Sequence, residues 1–439
     1  MLLGPILVIP EAPSRWKALA WNLFGQGGAA LLGLALIKVS VSAFPISAYG
    51  TAALLLGLQA LVRNTTLNPL LNLAIYTSRE EEARFGAGWI HAATGRALGT
   101  LVGAALPLFL LAIWALRIPV ERTLLAVGWL LVLLASEAFK TARLNLLHCD
   151  GQASRFALWT LADAALKPAM ILGFLATGQE RGALSLLACH ALGSTLSLAL
   201  TLLDAPLQRL ARAQRKDSPP HPTPGAWVSS HRTFLLPLVG VGLTGWITGL
   251  SDRYLVNLYL GAESAGLYAG IYALFSSPFL ILGTAFTLAI RPRLLALQAE
   301  GRAAERDRWF RQGLAGLALG AFVLAAILYL ARGPLVTALL RPDYLQALPA
   351  APGILLGNAI LALGTSLEQA FFVTHRTHLV LAKQVAGSLT AILVVLWMAP
   401  RFGLEGVGWA CPIYAAVELM SGMLILGKSR KSRPLLPMA

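Results

Sequence analysis

Twelve apolar stretches recur along this chain, each near the ~20 residues that carry an α-helix across a bilayer. A lipid interior offers no water to backbone N–H and C=O groups, so such runs cross as helices. The spans fall at 17–38, 46–75, 88–116, 122–146, 156–177, 182–204, 233–260, 264–290, 312–331, 346–373, 378–399 and 404–427. Several exceed a minimal crossing, which predicts tilt or helical extension past the bilayer. Only 13% of the 439 residues are charged and 57% are hydrophobic, against about 25% charged in soluble domains. The opening MLLGPILVIPEAP has a short apolar run without a basic lead, followed by Pro10, Glu11 and Pro13. It does not read as a cleaved signal.

A net charge of +15 raises nucleic acid as a partner, but its placement argues for a membrane. Of 35 Lys and Arg, 24 fall to the N-terminus, the even-numbered connections and the C-terminus. Arg79, Arg84, Lys140, Arg143, Arg155, Arg209, Arg212, Arg215, Lys216, Arg291, Arg293, Arg302, Arg306, Lys428 and Arg430 are among them. Six lie in odd-numbered connections: Arg117, Arg122, Arg181, Arg332, Arg341 and Arg401. Cytoplasmic loops carry the basic excess. Both termini are therefore expected in the cytoplasm, the chain in the cytoplasmic (inner) membrane, and the basic loops against anionic lipids. No nucleic-acid partner is expected.

Between Asp204 and Arg232 runs APLQRLARAQRKDSPPHPTPGAWVSSH, a Pro-rich basic stretch that reads as a linker. It divides the chain into a six-helix lobe at 1–205, a linker at 206–232, a second six-helix lobe at 233–428 and a basic tail at 429–439. The halves echo each other. Lys38 precedes Gly50 of SAYGTAAL by 12 residues, and Arg253 precedes Gly266 of SAGLYAGI by 13. Six helices per half keep one orientation, which suggests a parallel repeat about an axis normal to the membrane. The expected fold is all-α, two lobes around a central cavity.

Charges inside spans are costly and usually face a bundle interior or a wet cavity. The embedded charges are five bases (Lys38, Arg63, Arg96, Lys167, Arg253) and five acids (Glu137, Asp163, Asp252, Glu368, Glu418). Cations at several depths suit an anion that must cross, because guanidinium forks match phosphate oxygens. Arg253 is the strongest candidate, with Arg63, Arg96 and Lys38 beside it; Lys38 also reads as a side chain reaching out to the interface. Asn22 with Gln26, and Asn64, Asn68 and Asn72, make polar faces at spacing four that read as cavity lining. Asp163 and Lys167, four apart, read as a self-neutralising pair, as part of the cavity or as a proton-linked switch. Glu137 and Lys140 read similarly. Asp252 and Arg253 are adjacent, so they point about 100° apart and one can hold a neighbouring helix while the other faces the cavity.

Other motifs carry less. Cys149, Cys189 and Cys411 lack metal spacing and read as free thiols. GMLILGKS at 422–429 matches the P-loop pattern but forms the end of an apolar span. NTT at Asn64 lies within a span, where no sugar would be attached. HRTH at 375–378 reads as a cytoplasmic turn without metal partners. Gly99 with Gly103 and Gly245 with Gly249 read as close helix packing.

The Asp252-Arg253 pair late in the seventh span, a short loop and GLYAG resemble the Wzx-type polysaccharide flippases of the multidrug/oligosaccharidyl-lipid/polysaccharide exporter superfamily. NLFGQGGAALLGLALIK…AYG, YLQALPAAPGILLGNAI and RFGLEGVGWACPIYA are similar to that family's first helix, tenth-helix start and final turn. Lys38 replaces the more usual Arg, and the basic stretch after the eighth helix is longer than usual. The resemblance implies a secondary transporter, not an enzyme, that moves a polyprenyl-pyrophosphate-linked oligosaccharide to the outer leaflet. It implies no cofactor, coupling to H+, Na+ or the membrane potential, and pathway partners such as a polysaccharide polymerase and glycosyltransferases. A cation-coupled multidrug exporter of the same superfamily is the alternative; a membrane-embedded glycosyltransferase or polymerase is a further one.

Overall fold

The structure, a computed structural model, describes residues 15–431 apart from 86, 119, 121, 150–151, 205–222 and 375. Most of the expected linker and residues 432–439 of the tail lie outside these. Helices α1 (Arg15–Ala43), α2 (Ile46–Val62), α3 (Asn68–Phe85), α4 (Ala87–Ala115), α5 (Thr123–Cys149), α6 (Ala153–Leu175) and α7 (Ala183–Leu203) build the first lobe. A seven-residue helix, α8 (Pro224–Ser230), precedes α9 (Arg232–Ala299), α10 (Ala303–Leu330), α11 (Arg332–Leu339), α12 (Ala351–Val373) and α13 (Thr377–Lys431). No strand occurs among the described residues.

Among the described residues ten helices are long and apolar enough to cross a membrane, two of them with runs of 67 and 51 residues over Arg232–Gln298 and His378–Lys428. A ~30 Å hydrocarbon core takes about 20 helical residues, so each of these two makes two crossings. A single glycine divides each: Gly261 at φ 85° in α9 and Gly403 at φ 59° in α13. A Cβ is strained at positive φ, and glycine is not. Twelve crossing segments result, six per lobe. The connection expected at 332–345 is helical instead: α11 runs into a 3-10 turn over Pro342–Ala350.

Between α2 and α3 the helix continues through a π turn, Arg63–Leu67. A π turn leaves carbonyls without their usual partner. Thr65 Oγ1 donates to the Leu61 carbonyl at 2.8 Å and Thr66 Oγ1 to the Val62 carbonyl at 2.6 Å. The NTT motif is therefore locked into a helix, and its threonines serve the backbone.

The lobes join where backbones touch. A methyl placed on Gly50 would overlap the Ala262 carbonyl oxygen, and one on Gly266 would overlap the Ile46 carbonyl oxygen. Four residues separate carbonyl from glycine on both sides, so the contact is self-reciprocal, as a two-fold axis between the lobes requires. A longer seam runs from there between α2 and the 232–260 part of α9. Tyr254 Oη donates to the Leu54 carbonyl and Trp246 Nε1 to the Gly57 carbonyl, both at 2.7 Å, and Gly242 lies against the Asn64 carbonyl. The glycines expected to pack closely do not. A Cβ on Gly99, Gly103, Gly245 or Gly249 would meet nothing within 4 Å, because spacing alone does not say which face a glycine occupies.

Candidate functional site between the lobes

Arg253 sits on the lobe-facing side of α9, where the cavity wall has no acid opposite it. Its side chain lines a cavity of about 220 Å³ with Ser40, Tyr49, Leu56, His190 and Ala273. Its guanidinium lies 5.3 Å from the centre of the Tyr272 ring, a cation–π distance. Arg253 makes no ion pair among the described residues, and its buried Nε has no hydrogen-bond partner there. The cavity thus presents one guanidinium, an imidazole, a phenol and a hydroxyl on an otherwise apolar wall.

Asp252, one residue earlier, is buried and turned away. Its Oδ2 accepts from Tyr268 Oη at 2.6 Å and its Oδ1 from the Arg253 backbone N–H at 2.8 Å. Asp252 therefore ties the part of α9 before the Gly261 kink to the part after it. Tyr272 stands one turn from Tyr268, so the same tie sets the ring that Arg253 stacks on.

A charge network fills the first lobe. Glu137 on α5 accepts from Arg63 Nη1 at 2.8 Å, Lys167 Nζ at 2.9 Å and Gln59 Nε2 at 3.3 Å. Lys140 reaches Asp163 at 2.5 Å, and Lys167 is 3.8 Å from Asp163. The spacing-four pair is thus the longest of these contacts, and the cross-helix pairs dominate. Three bases face two carboxylates, so the network carries one surplus positive charge.

The second lobe holds a network of opposite balance. Lys383, with no exposed surface, contacts Glu418 at 2.7 Å, Glu368 at 2.9 Å and the Gly364 carbonyl at 2.9 Å. Gln384 donates to Glu368 at 2.9 Å and accepts from Thr244 Oγ1 at 2.8 Å, which links the cluster to α9. Lys383, which falls inside the 378–399 span but is not among the five embedded bases, is buried between helices. The sequence holds a signal for this, since Glu368 and Glu418 are two embedded acids with no base assigned.

The remaining candidates scatter. Arg96 is exposed on α4 and donates to the carbonyl of Ala92 in its own helix. Lys38 and Gln26 are exposed on α1, outside the cavity lining, and the Asn22 side chain lies outside the described ones. Asn68 donates to Asn64 at 3.0 Å, whereas Asn72 is exposed. Arg63 joins the acid network, so of the bases expected at several depths Arg253 lines the cavity, together with His190 and Tyr49, which sequence reasoning missed. Cys189 and Cys411 are buried free thiols, and the Cys149 side chain lies outside the described ones. Residues 422–429 are continuous helix, without the loop a P-loop needs. Among the described residues no His, Cys, Asp and Glu cluster forms a metal site; His375 lies outside them.

No protein-family model matches the sequence, and no curated protein matches it. Solved structures do. A Vibrio cholerae MATE transporter, VcmN, aligns at TM-score 0.67 and 13% identity, over 96% of this chain and 97% of that one. An inward-facing multidrug resistance MATE family transporter of the MOP superfamily aligns at 0.64 and 15% identity, over 98% of both chains. A MOP superfamily transporter from Pyrococcus furiosus, described by the reverse polarity of its binding pocket, aligns at 0.65 and 15% identity, over 96% and 98%. This chain has the fold of those transporters, two lobes of six crossing segments.

Proposed function

We propose that this chain is a secondary transporter of the cytoplasmic membrane that flips a polyprenyl-pyrophosphate-linked oligosaccharide for surface polysaccharide synthesis. Arg253 carries the proposal. It is the cation of an interlobe cavity whose described walls hold no carboxylate. The embedded acids of both lobes already have partners: Glu137, Asp163, Asp252, Glu368 and Glu418 each accept a hydrogen bond or ion pair. A cavity with an arginine and no spare acid favours an anionic headgroup over a cationic drug, because a buried charge needs an opposite partner. The Pyrococcus furiosus transporter, described by a reverse pocket polarity that suggests a different function, supports the view that this fold carries pockets of either sign.

The multidrug reading has support as well: the fold is shared with multidrug resistance transporters, and most of the cavity wall is apolar. One experiment separates the two. Surface polysaccharide export is measured in a strain lacking its own flippase, beside drug resistance in a strain lacking its exporters. Export should be restored by the wild type and fall roughly tenfold to a hundredfold for Arg253→Ala at low substrate, because hydrogen bonds to charged groups contribute about 1.5–3 kcal/mol. Arg253→Lys should recover part, since ammonium lacks the fork. Drug resistance without export, or normal export by an Arg63→Ala, Arg253→Ala double variant, would overturn the flippase reading.

A further inference from the structure

The basic stretch after the eighth crossing segment has no task in the cavity, and the structure gives it a surface. Six arginines lie between 291 and 311, with three acids: Glu300, Glu305 and Asp307. The acids are taken. Arg302 pairs with Glu300 and Glu305, Arg293 with Glu305 at 3.6 Å, and Arg306 with Asp307 at 2.6 Å. Arg306 is buried and also reaches Gln298, so it braces the α9–α10 corner. Arg308 and Arg311 are exposed and make no ion pair among the described residues.

Arg308 lies on an open face of α10 with Glu305, Trp309 and Gln312. Trp309 is 47% exposed, and the Arg293 guanidinium lies 5.8 Å from its ring centre. Tryptophan beside arginine at the end of a crossing helix is the composition of a membrane–water interface. The face continues. At 100° per residue, Arg308 and Gln312 share a stripe of α10 with Leu319, Val323 and Leu330, which are 70%, 50% and 80% exposed. From Gln312, Leu319 and Val323 lie roughly 10 and 17 Å along the helix, the reach of one leaflet of a ~30 Å core.

We infer that this corner is a binding site for an anionic phospholipid, its headgroup phosphate held by Arg308 and Arg311, one turn apart on α10, with Trp309 flanking Arg308 and one acyl chain laid along Leu319 and Val323. The exposed apolar stripe below the cations and the half-exposed Trp309 put the two arginines at headgroup depth, which favours an anionic lipid over an acidic protein or a dissolved anion. The site is at the end of the bundle that carries the basic connections, distant in sequence from the cavity residues, and it stands whichever substrate the transporter carries.

The test uses the purified full-length chain. Thermal stability is followed in detergent as phosphatidylglycerol, phosphatidylcholine, inorganic phosphate or polyglutamate is added. Phosphatidylglycerol should raise the melting temperature saturably, and the other three should not. Each basic side chain near an anionic surface is worth about one factor of five in affinity, so Arg308→Ala with Arg311→Ala should weaken the phosphatidylglycerol effect roughly thirtyfold. Arg308→Lys with Arg311→Lys should keep most of it, and Arg401→Ala, at the other end of the bundle, all of it. A double alanine variant that responds like wild type, or an equal response to inorganic phosphate or polyglutamate, overturns the site.

Discussion

Gly50 and Gly266 face each other across the lobe boundary, each against the backbone carbonyl found four residues before the other. Helices from different lobes approach this closely only where side chains are absent, and small residues allow the same contact between membrane helices elsewhere. The relationship is symmetric, so neither lobe alone sets it.

Replacing either glycine by valine should prevent this contact from closing, because overpacked sites cost typically 1–3 kcal/mol. Ser40, in the adjoining cavity, supplies the reporter. A Ser40→Cys variant should label with an impermeant maleimide several-fold faster when Gly50→Val is also present. Gly266→Val should act alike, and the two together should add little, since they disturb one contact. Unchanged labelling would mean that this contact does not limit access to the cavity.

That contact also measures how far the sequence can be read. The period of apolar runs locates all twelve crossing segments, and Gly50 and Gly266 stand out as matched landmarks. The kinks at Gly261 and Gly403 are legible as short gaps between spans. Side-chain partners are not. Lys167 reads from spacing as the partner of Asp163, but Glu137 of another helix is closer, 2.9 Å against 3.8 Å. Arg96 and Lys383 are misplaced for a related reason. Hydropathy fixes depth along a helix, whereas the rotation that turns a charge outward or inward is set by neighbouring helices.

Asp252 accepts from Tyr268 in a buried position, so the pair should act on structure before transport. Asp252→Ala leaves the Tyr268 hydroxyl buried without a partner, at about 1–3 kcal/mol. The yield of folded protein and the melting temperature should fall. Tyr268→Phe in the same chain should restore part of the loss, because it removes the stranded donor. Melting curves of the two single variants and the double variant check this; full additivity would deny the coupling.

The distribution of arginine and lysine predicts an orientation that reporter fusions can read. A phosphatase or fluorescent reporter inserted at Gly301, between α9 and α10, should score cytoplasmic, and one at Gly178, between α6 and α7, should score external. The reverse result would invert the chain and place the proposed lipid site in the outer leaflet.

The Lys383 cluster gives the sharpest stability test. One fully buried ammonium lies within 2.9 Å of both Glu368 and Glu418. Removing one partner of a buried pair typically costs about 3–5 kcal/mol, because the opposite charge is left without compensation. Lys383→Met strands two carboxylates at once, so it should lower folded yield more than Glu418→Gln, which leaves Lys383 paired with Glu368. Neutralising everything should be milder than neutralising the lysine alone. The variant Lys383→Met, Glu368→Gln, Glu418→Gln keeps the shapes. Its side-chain amide at position 368 can still accept from Gln384, which holds Thr244 of α9. Melting temperatures of the single and triple variants decide it. A triple variant no more stable than Lys383→Met would show that the lysine acts through packing and its bond to the Gly364 carbonyl, and that charge balance in this lobe is not what holds α9 in place.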